Sequence, residues 1–265
     1  MFRYDEYYVP NSLSFLIKKL WTLNNQDNPQ CINNKSALPN GCFNIAFIIG
    51  RGVTIKNKNG KTHLTEGVYF CGQMTELLEI DIYPHSKATM VQLYPWTPVH
   101  FSAEDMSMHL DRFIKMDQFD ISSLIQLGNT ENSHICRAVV AAFSPLFHIN
   151  LTVSLLTKAT QMIISSNGSL NISKLSANLG CSQRHLQKIF RKHIGLSPKR
   201  FANIIKLREA VDDLAFRDKK NGTLTTLALT NNFYDQPHFN NSFQAIVKTS
   251  PNEFDGTDCF LSFKK

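Results

Sequence analysis

The chain has 265 residues, 43% of them hydrophobic and 18% charged, with ten prolines and a formal net charge of +7. That length and composition suit two ordinary domains or one large one, each with its own core, and exclude a disordered chain. No run approaches the ~18 apolar residues of a membrane span, and the mixed charges of Met1-Phe2-Arg3-Tyr4-Asp5-Glu6 do not make a signal peptide, so a soluble, cytoplasmic protein without membrane contact is expected.

In chain order the first legible elements are strands, over residues 38–100. Phe43–Ile49 is an apolar run of strand formers, and Gly50-Arg51-Gly52 turns after it. Val53-Thr54-Ile55 and Thr62-His63-Leu64 flank Asn57-Lys58-Asn59-Gly60, whose Asn-Gly step predicts a hairpin. Further strands are expected at Val68–Cys71, Leu77–Ile82 and Met90–Tyr94, with turn residues Tyr83-Pro84-His85-Ser86 between the last two. Short strands at this spacing predict a β-sandwich or small barrel. Residues 104–119 and 131–147 return to helical periodicity, through Met108, Phe113 and Ile114 and then Ile135, Val139 and Phe143. Six dispersed cysteines (31, 42, 71, 136, 181 and 259) with no C-x-x-C pair read as mostly buried thiols in a reducing compartment.

The charge is unevenly divided. Residues 1–150 hold 12 Lys+Arg against 13 Asp+Glu, whereas residues 151–265 hold 16 against 8. Between Lys174 and Arg208 stand nine basic residues and no acidic one. Such a block is either a solvated face or the footprint of a polyphosphate partner. The pattern beneath the charge favours the partner. Ser173 reads as an N-cap with Ile172 just outside it, Leu175 and Leu179 share one helix face, and Gly180 ends the helix. Ser182 is a second N-cap, followed by the stripe Leu186, Ile189, Phe190 and Ile194. The opposite face carries Gln183, Arg184, Gln187, Lys188 and Arg191, with Lys192 at its edge. A short helix, a tight turn and a second helix with a cationic face make a helix-turn-helix, whose second helix fits the major groove. Gly195-Leu196-Ser197-Pro198 closes the unit, and Lys199 and Arg200 begin another helix.

About fifty residues later the pattern returns. Thr225 reads as the cap of a short helix with Leu227 and Ala228, and Asn231-Asn232 supplies the turn because asparagine tolerates left-handed backbone. Asp235 caps the next helix, with Pro237 harmless in its first turn. Phe239, Phe243, Ile246 and Val247 form its apolar stripe, and Gln236, Asn240, Asn241 and Gln244 its outward face. Phe201, Ile204, Val211 and Leu214 mark a longer helix between the two units.

Cys181–Phe190, Gly195-Leu196-Ser197-Pro198, Lys206–Ala210, Phe233–Phe239, Phe243 and Ser250-Pro251 together resemble the AraC/XylS family DNA-binding domain, over roughly residues 155–255. The resemblance implies an all-helical domain with two helix-turn-helix units, recognition helices at Ser182–His193 and Asp235–Val247, and a role in regulating transcription. The chain departs from the family pattern in the second unit. Asn232 stands where the family usually has glycine, Asn241 and Gln244 where it has arginine and lysine, and Lys248 where it has the glycine before Ser-Pro. Bidentate amide contacts favour adenine, so an A·T-rich half-site is one reading of this unit, and weak backbone binding is the other. Leu38-Pro39-Asn40-Gly41, the strand after it, Gly67 to Gly72 and Met90–Pro95 are similar to the cupin-like sensory domains of the same family. That similarity implies a small-molecule effector and a homodimer; a barrel packed solid is the alternative.

The fold expected is therefore α+β in two domains: a β-rich, cupin-like regulatory domain over residues 1–150 with helices at its end, and an all-α double helix-turn-helix domain over residues 151–265. The expected function is sequence-specific binding of double-stranded DNA in transcription regulation, with RNA polymerase as a further partner. Arg184, Gln187, Lys188 and Arg191 are the expected first-unit contacts, with Ser182, Gln183 and Lys192 beside them. Lys174, Lys199 and Arg200 are expected on phosphates, and Gln236, Asn240, Asn241 and Gln244 in the second unit. No enzyme, cofactor or metal is expected: His63, His85 and His100 lie far apart with no H-x-H pair, and no G-x-S-x-G, P-loop or G-x-G-x-x-G occurs. Trp21, Trp96 and Phe47 read as core aromatics before cavity lining. Two rivals stand beside this reading, a cupin-fold enzyme with a nucleic-acid-binding tail and a regulator acting mainly through protein contacts.

Overall fold

The structure, a computed structural model, describes residues 1–8, 15–100, 102–116, 134, 141, 151–216 and 223–260. Its strands are β1 (Arg3–Tyr8), β2 (Ile17–Asn25), β3 (Ile32–Ala37), β4 (Phe43–Ile49), β5 (Val53–Asn57), β6 (Gly60–Leu64), β7 (Gly67–Cys71), β8 (Leu78–Ile82), β9 (Ser86–Leu93) and β10 (Phe113–Lys115). They pair antiparallel into a six-stranded sheet, ordered β1-β2-β9-β4-β7-β10, and a four-stranded sheet, ordered β3-β8-β5-β6. Trp21, Leu23, Ala46, Ile48 and Met90 face Val53, Ile55, Leu64, Leu78 and Ile80 in one core. The other face of the larger sheet carries a second core, with Phe43, Ile45, Phe47, Phe70, Val91 and Leu93 under Met106. Burial on both faces explains the apolar run Ile45–Ile49 of β4, where a half-solvated strand would alternate.

Three strands, β1 to β3, precede the region legible as β in the sequence. Strand β1 lies at an edge with alternating partial exposure, and β3 is mostly polar, so neither shows an apolar period. The hairpin is shifted from the expected Asn-Gly turn: Asn57 pairs with Gly60, so Lys58-Asn59 is the loop and Gly60, at φ +112°, opens β6. Strand β9 begins four residues earlier than expected. The helix expected over 104–119 is not formed over its described part. Met106–His109 makes one 3-10 turn, Asp111 takes a φ of +55° that stops a helix, and Phe113–Lys115 pairs with the edge of β7. The helix expected over 131–147 lies outside the described residues, except for 134 and 141, both in helical backbone.

The helices are α1 (Leu151–Ser165), α2 (Ile172–Asn178), α3 (Gln183–Ile194), α4 (Pro198–Phe216), α5 (Leu224–Thr230) and α6 (Gln236–Val247). The long α4 serves two cores. Its first half, through Phe201, Ile204 and Ile205, packs with Leu156, Ile163, Leu175, Leu186 and Phe190. Its second half, through Leu207, Ala210 and Val211, packs with Leu227, Ala228, Phe239 and Phe243. Burying each such side chain contributes roughly 1.5–3 kcal/mol. The β-domain enters both cores, Trp96 in the first and Leu38 in the second. The Leu77 N–H also donates to the Ile246 carbonyl at 2.8 Å, and Lys248 pairs with Glu76. Gly41 lies so close to α4 that a Cβ there would sit 2.8 Å from the Phe201 ring.

Candidate nucleic-acid interface

The first unit starts two residues earlier than the sequence indicated. Asn171, not Ser173, caps α2, its Oδ1 accepting from the N–H groups of Ser173 (2.8 Å) and Lys174 (3.3 Å). Gly180, at φ +64°, makes the turn. Ser182 caps α3, its Oγ accepting from His185 N at 3.2 Å, and Gly195 ends it at φ +86°. Leu186, Ile189, Phe190 and Ile194 are buried, as their spacing predicted. Gln183, Arg184, Gln187, Lys188, Arg191 and Lys192 are exposed, and so are Ser182, Lys174, Lys199 and Arg200. Exposed His185 joins that surface at the first turn of α3; the sequence pattern had not singled it out. Among the described residues, none of these seven cations pairs with a carboxylate. Gln183, Lys199 and Lys206 line one shallow groove beside the Asn171 cap.

The second unit repeats the scheme. Thr223, rather than Thr225, caps α5, its Oγ1 accepting from Thr226 N at 3.2 Å. Asn232 takes the left-handed turn conformation at φ +61°, and its carbonyl accepts from Lys206 Nζ on α4 at 3.2 Å. Asp235 caps α6, its Oδ1 accepting from His238 N at 2.7 Å. Phe239, Phe243 and Val247 are buried, while Ile246 is half-buried. The outward face is narrower than the sequence indicated. Asn241 and Gln244 are exposed, but Asn240 is half-buried with its Oδ1 shut away from solvent, because it stands at the edge of the stripe. Gln236 is also half-buried, its Oε1 accepting from Thr225 Oγ1 at 2.6 Å, which ties α6 to α5. Tyr234, which the sequence reading passed over, is 87% exposed in the turn just before α6.

Both recognition helices rest on the β-domain by their C-terminal ends. Gly195 lies against the Met106–His109 turn, where an added Cβ would come 2.7 Å from the Met106 carbonyl. Asp105 caps that turn; hydrogen bonding from Ser107, and then the charges of Arg191 and Lys192, lower its pKa. Burial, and then Lys192, lowers that of His193.

A second candidate site lies between the sheets, where the sequence assigned no effector-binding residue. It is a largely apolar cavity of about 90 Å³, with Arg208 of α4 among its lining residues. Strand register gives it two ends. Lys19, Gln92 and Asn44 are cross-strand partners and line one end; two residues along, Trp21, Met90 and Ala46 form the next row, and Leu23, Ala88 and Ile48 the apolar row beyond. Of the three aromatics considered from sequence, Trp21 lines the cavity, Trp96 stacks on Tyr94 in the first helical core, and Phe47 lies on the opposite face of the sheet. At the polar end Lys19 pairs with Glu6 at 2.5 Å and Arg208 with Asp212 at 3.0 Å. Gln92 is buried, and its Oε1 has no hydrogen-bond partner among the described residues.

The histidines do not converge. His63 packs on Tyr83, His85 contacts the Gln26 carbonyl and His100 packs on Phe15. Among the described residues no group of three or more His, Cys, Asp or Glu side chains is placed to hold a metal, and no helix is long and apolar enough to cross a membrane. Of the five described cysteines, all free, Cys42 and Cys71 are buried, whereas Cys31, Cys181 and Cys259 are half-buried.

Two helix-turn-helix units on one shared helix, set behind a two-sheet β-domain, define the class: a double helix-turn-helix protein of two-domain construction. Comparison with known proteins agrees. Residues 175–256 match the family described as helix-turn-helix domain, and residues 6–115 match a domain of unknown function, DUF6597. The C-terminal part belongs to the AraC-type helix-turn-helix domains. Uncharacterized HTH-type transcriptional regulators of Staphylococcus aureus strains MSSA476 and MRSA252 are each 31% identical over 87 residues, 33% of this chain. The chain spans 11% of the length of these curated relatives. Among solved structures, ToxT from Vibrio cholerae O395 is similar at a TM-score of 0.48 and 11% identity, over 95% of this chain and 96% of that one. The AraC-like transcriptional activator CuxR is similar at a TM-score of 0.30 and 13% identity, over 79% of this chain and 87% of that one.

Proposed function

We propose that this protein is a sequence-specific, double-stranded-DNA-binding transcription regulator, with residues 151–265 as the DNA-binding part and residues 1–150 as the regulatory part. One observation carries the reading: the exposed face of α3 and its flanks hold seven cations with no carboxylate partner among the described residues. Folding normally screens or pairs such charge; a polyphosphate backbone would neutralise it and release counterions. Helices α3 and α6 enter successive major-groove faces about one turn of DNA, ~34 Å, apart. Arg184, Gln187, Lys188 and Arg191 reach base edges and nearby phosphates, Lys192 flanks them, and Lys174, Lys199 and Arg200 grip the backbone. Ser182 and Gln183 place the N-terminus of α3, while Asn241 and Gln244 read adenine in the second half-site. Gln236 and Asn240 support α6 from within the unit, as their half-burial favours.

The regulatory part takes a small effector with an apolar body and a polar end. The cavity's apolar rows, its Lys19–Gln92–Asn44 end and the Gln92 oxygen, unpartnered among the described residues, support this reading. Contact with RNA polymerase, a homodimer and a cytoplasmic location without catalytic activity complete the proposal through the AraC resemblance. Genome-wide footprinting supplies the operator for the test. On that DNA, Arg184→Ala and Lys188→Ala should each weaken binding and reduce the slope of log K against log salt by about 1 if they contact phosphates. Asn241→Ala should instead relax preference at one A·T position. Affinity indifferent to salt, or unchanged by all three substitutions, contradicts the reading.

A further inference from the structure

After α6 the chain does not end on the helical domain. Ser250–Phe254 closes the second unit, with Phe254 packed on Phe243 at 5.4 Å between ring centroids. The next six residues cross to the β-domain. Asp255 caps a 3-10 turn, Asp258 pairs with Lys35 at 2.6 Å, and Cys259 bridges in parallel to Ser36 of β3. The Phe260 N–H donates to the Ser36 carbonyl at 2.8 Å. These contacts deliver the Phe260 ring to the wall of the cavity, where it stacks on Tyr4 (5.2 Å) and meets Trp21 (6.0 Å) and Phe2 (6.4 Å). Tyr4, Trp21 and Phe260 are all lining residues, so the aromatic cluster is part of the cavity boundary.

We propose that Asp255–Phe260 is a strap whose Phe260 ring competes with the effector for the cavity. The ring occupies apolar lining that an effector's body would cover, and the Asp258–Lys35 ion pair, the Ser36–Cys259 bridge and its aromatic contacts hold it there. A ligand that takes its place must pull Cys259 and Asp258 off β3. The strap is continuous with the second helix-turn-helix unit, so occupancy of the cavity is mechanically tied to the tether between that unit and the β-domain. The inference rests on the reading of the cavity as a ligand site and adds how that site is controlled.

The test uses the full chain and 1-anilinonaphthalene-8-sulfonate, a probe with an apolar body and an anionic end. Phe260→Ala should bind it on the order of tenfold more tightly than the wild type, as removing a competing buried aromatic ring predicts. Ser36→Cys supplies the opposite variant without disturbing the ring. Partners in a strand bridge project to the same face, so an oxidant should join the new thiol to Cys259 and lock the strap. The locked protein should bind the probe on the order of tenfold more weakly than its reduced form, with reductant restoring binding, while wild type treated identically does not change. Absence of probe binding in every protein overturns the ligand-site reading and the strap with it. Equal binding by wild type, Phe260→Ala and cross-linked Ser36→Cys overturns the strap alone and leaves the cavity reading standing. A Ser36→Cys protein that will not cross-link also overturns the strap, because the two residues would not be seated together.

Discussion

Glu6 shows how one carboxylate can matter at the rim of a sheet. Burial raises its pKa, but hydrogen bonds from Lys19, Tyr4 and Tyr8 outweigh that and bring it down to about 2. For Lys19 the balance is reversed, burial outweighing the same partner and lowering its pKa. The direction at Glu6 rests on three converging donors and governs acid behaviour. A carboxyl held lower in the folded than in the unfolded state contributes stability in full above its ordinary value, near 4.5, and loses it as the pH falls towards 2. The urea midpoint of the wild type should therefore decline across that window more steeply than that of Glu6→Gln. Parallel declines would show that the contact does not hold in solution. The same scale shows what residue type conceals: Lys19 and Arg208 look like surface cations in the sequence, yet both line a cavity and both are paired.

At the scale of elements, the two helix-turn-helix units differ in how their turns are made. Gly180 takes φ +64° with nothing near an added Cβ, so Gly180→Ala should cost only the left-handed conformation, about 1–2 kcal/mol. Gly195 takes φ +86°, and an added Cβ would also strike the backbone of the Met106–His109 turn. Gly195→Ala should therefore lower the melting temperature clearly more than Gly180→Ala. Equal losses would mean that the end of α3 does not rest on the β-domain. These units were legible in advance because capping, turn and apolar stripe are local properties. The caps were misplaced at Ser173 and Thr225 because Asn171 and Thr223 are equally good capping types, and only the backbone decides which oxygen meets the free N–H groups. Strands β3 and β10 escaped because their pairing partners lie far away in sequence, and β1 because its edge position leaves it without an apolar period.

At the scale of the whole molecule, the β-domain supplies Trp96 to one helical core and Leu38 to the other. The two parts should thus unfold together. Trp96→Ala should cost about 3–5 kcal/mol and shift the helical signal in far-ultraviolet circular dichroism and the tertiary signal by the same amount. Two separated transitions in the wild type would contradict this coupling. In the same way Phe260, in the C-terminal part of the chain, sits among the aromatics of the β-domain.

The sequence by itself determined the double helix-turn-helix, the cationic face of α3 and the β-character of residues 43–93, because helical and strand periodicity, caps and charge runs are written between near neighbours. Tertiary structure alone decided that Asn240 turns inward, that the β-domain encloses a cavity with one polar end, and that the last described residues return to cover it. Those features depend on which distant rows of side chains face one another, and sheet register and domain packing set that rather than any local spacing.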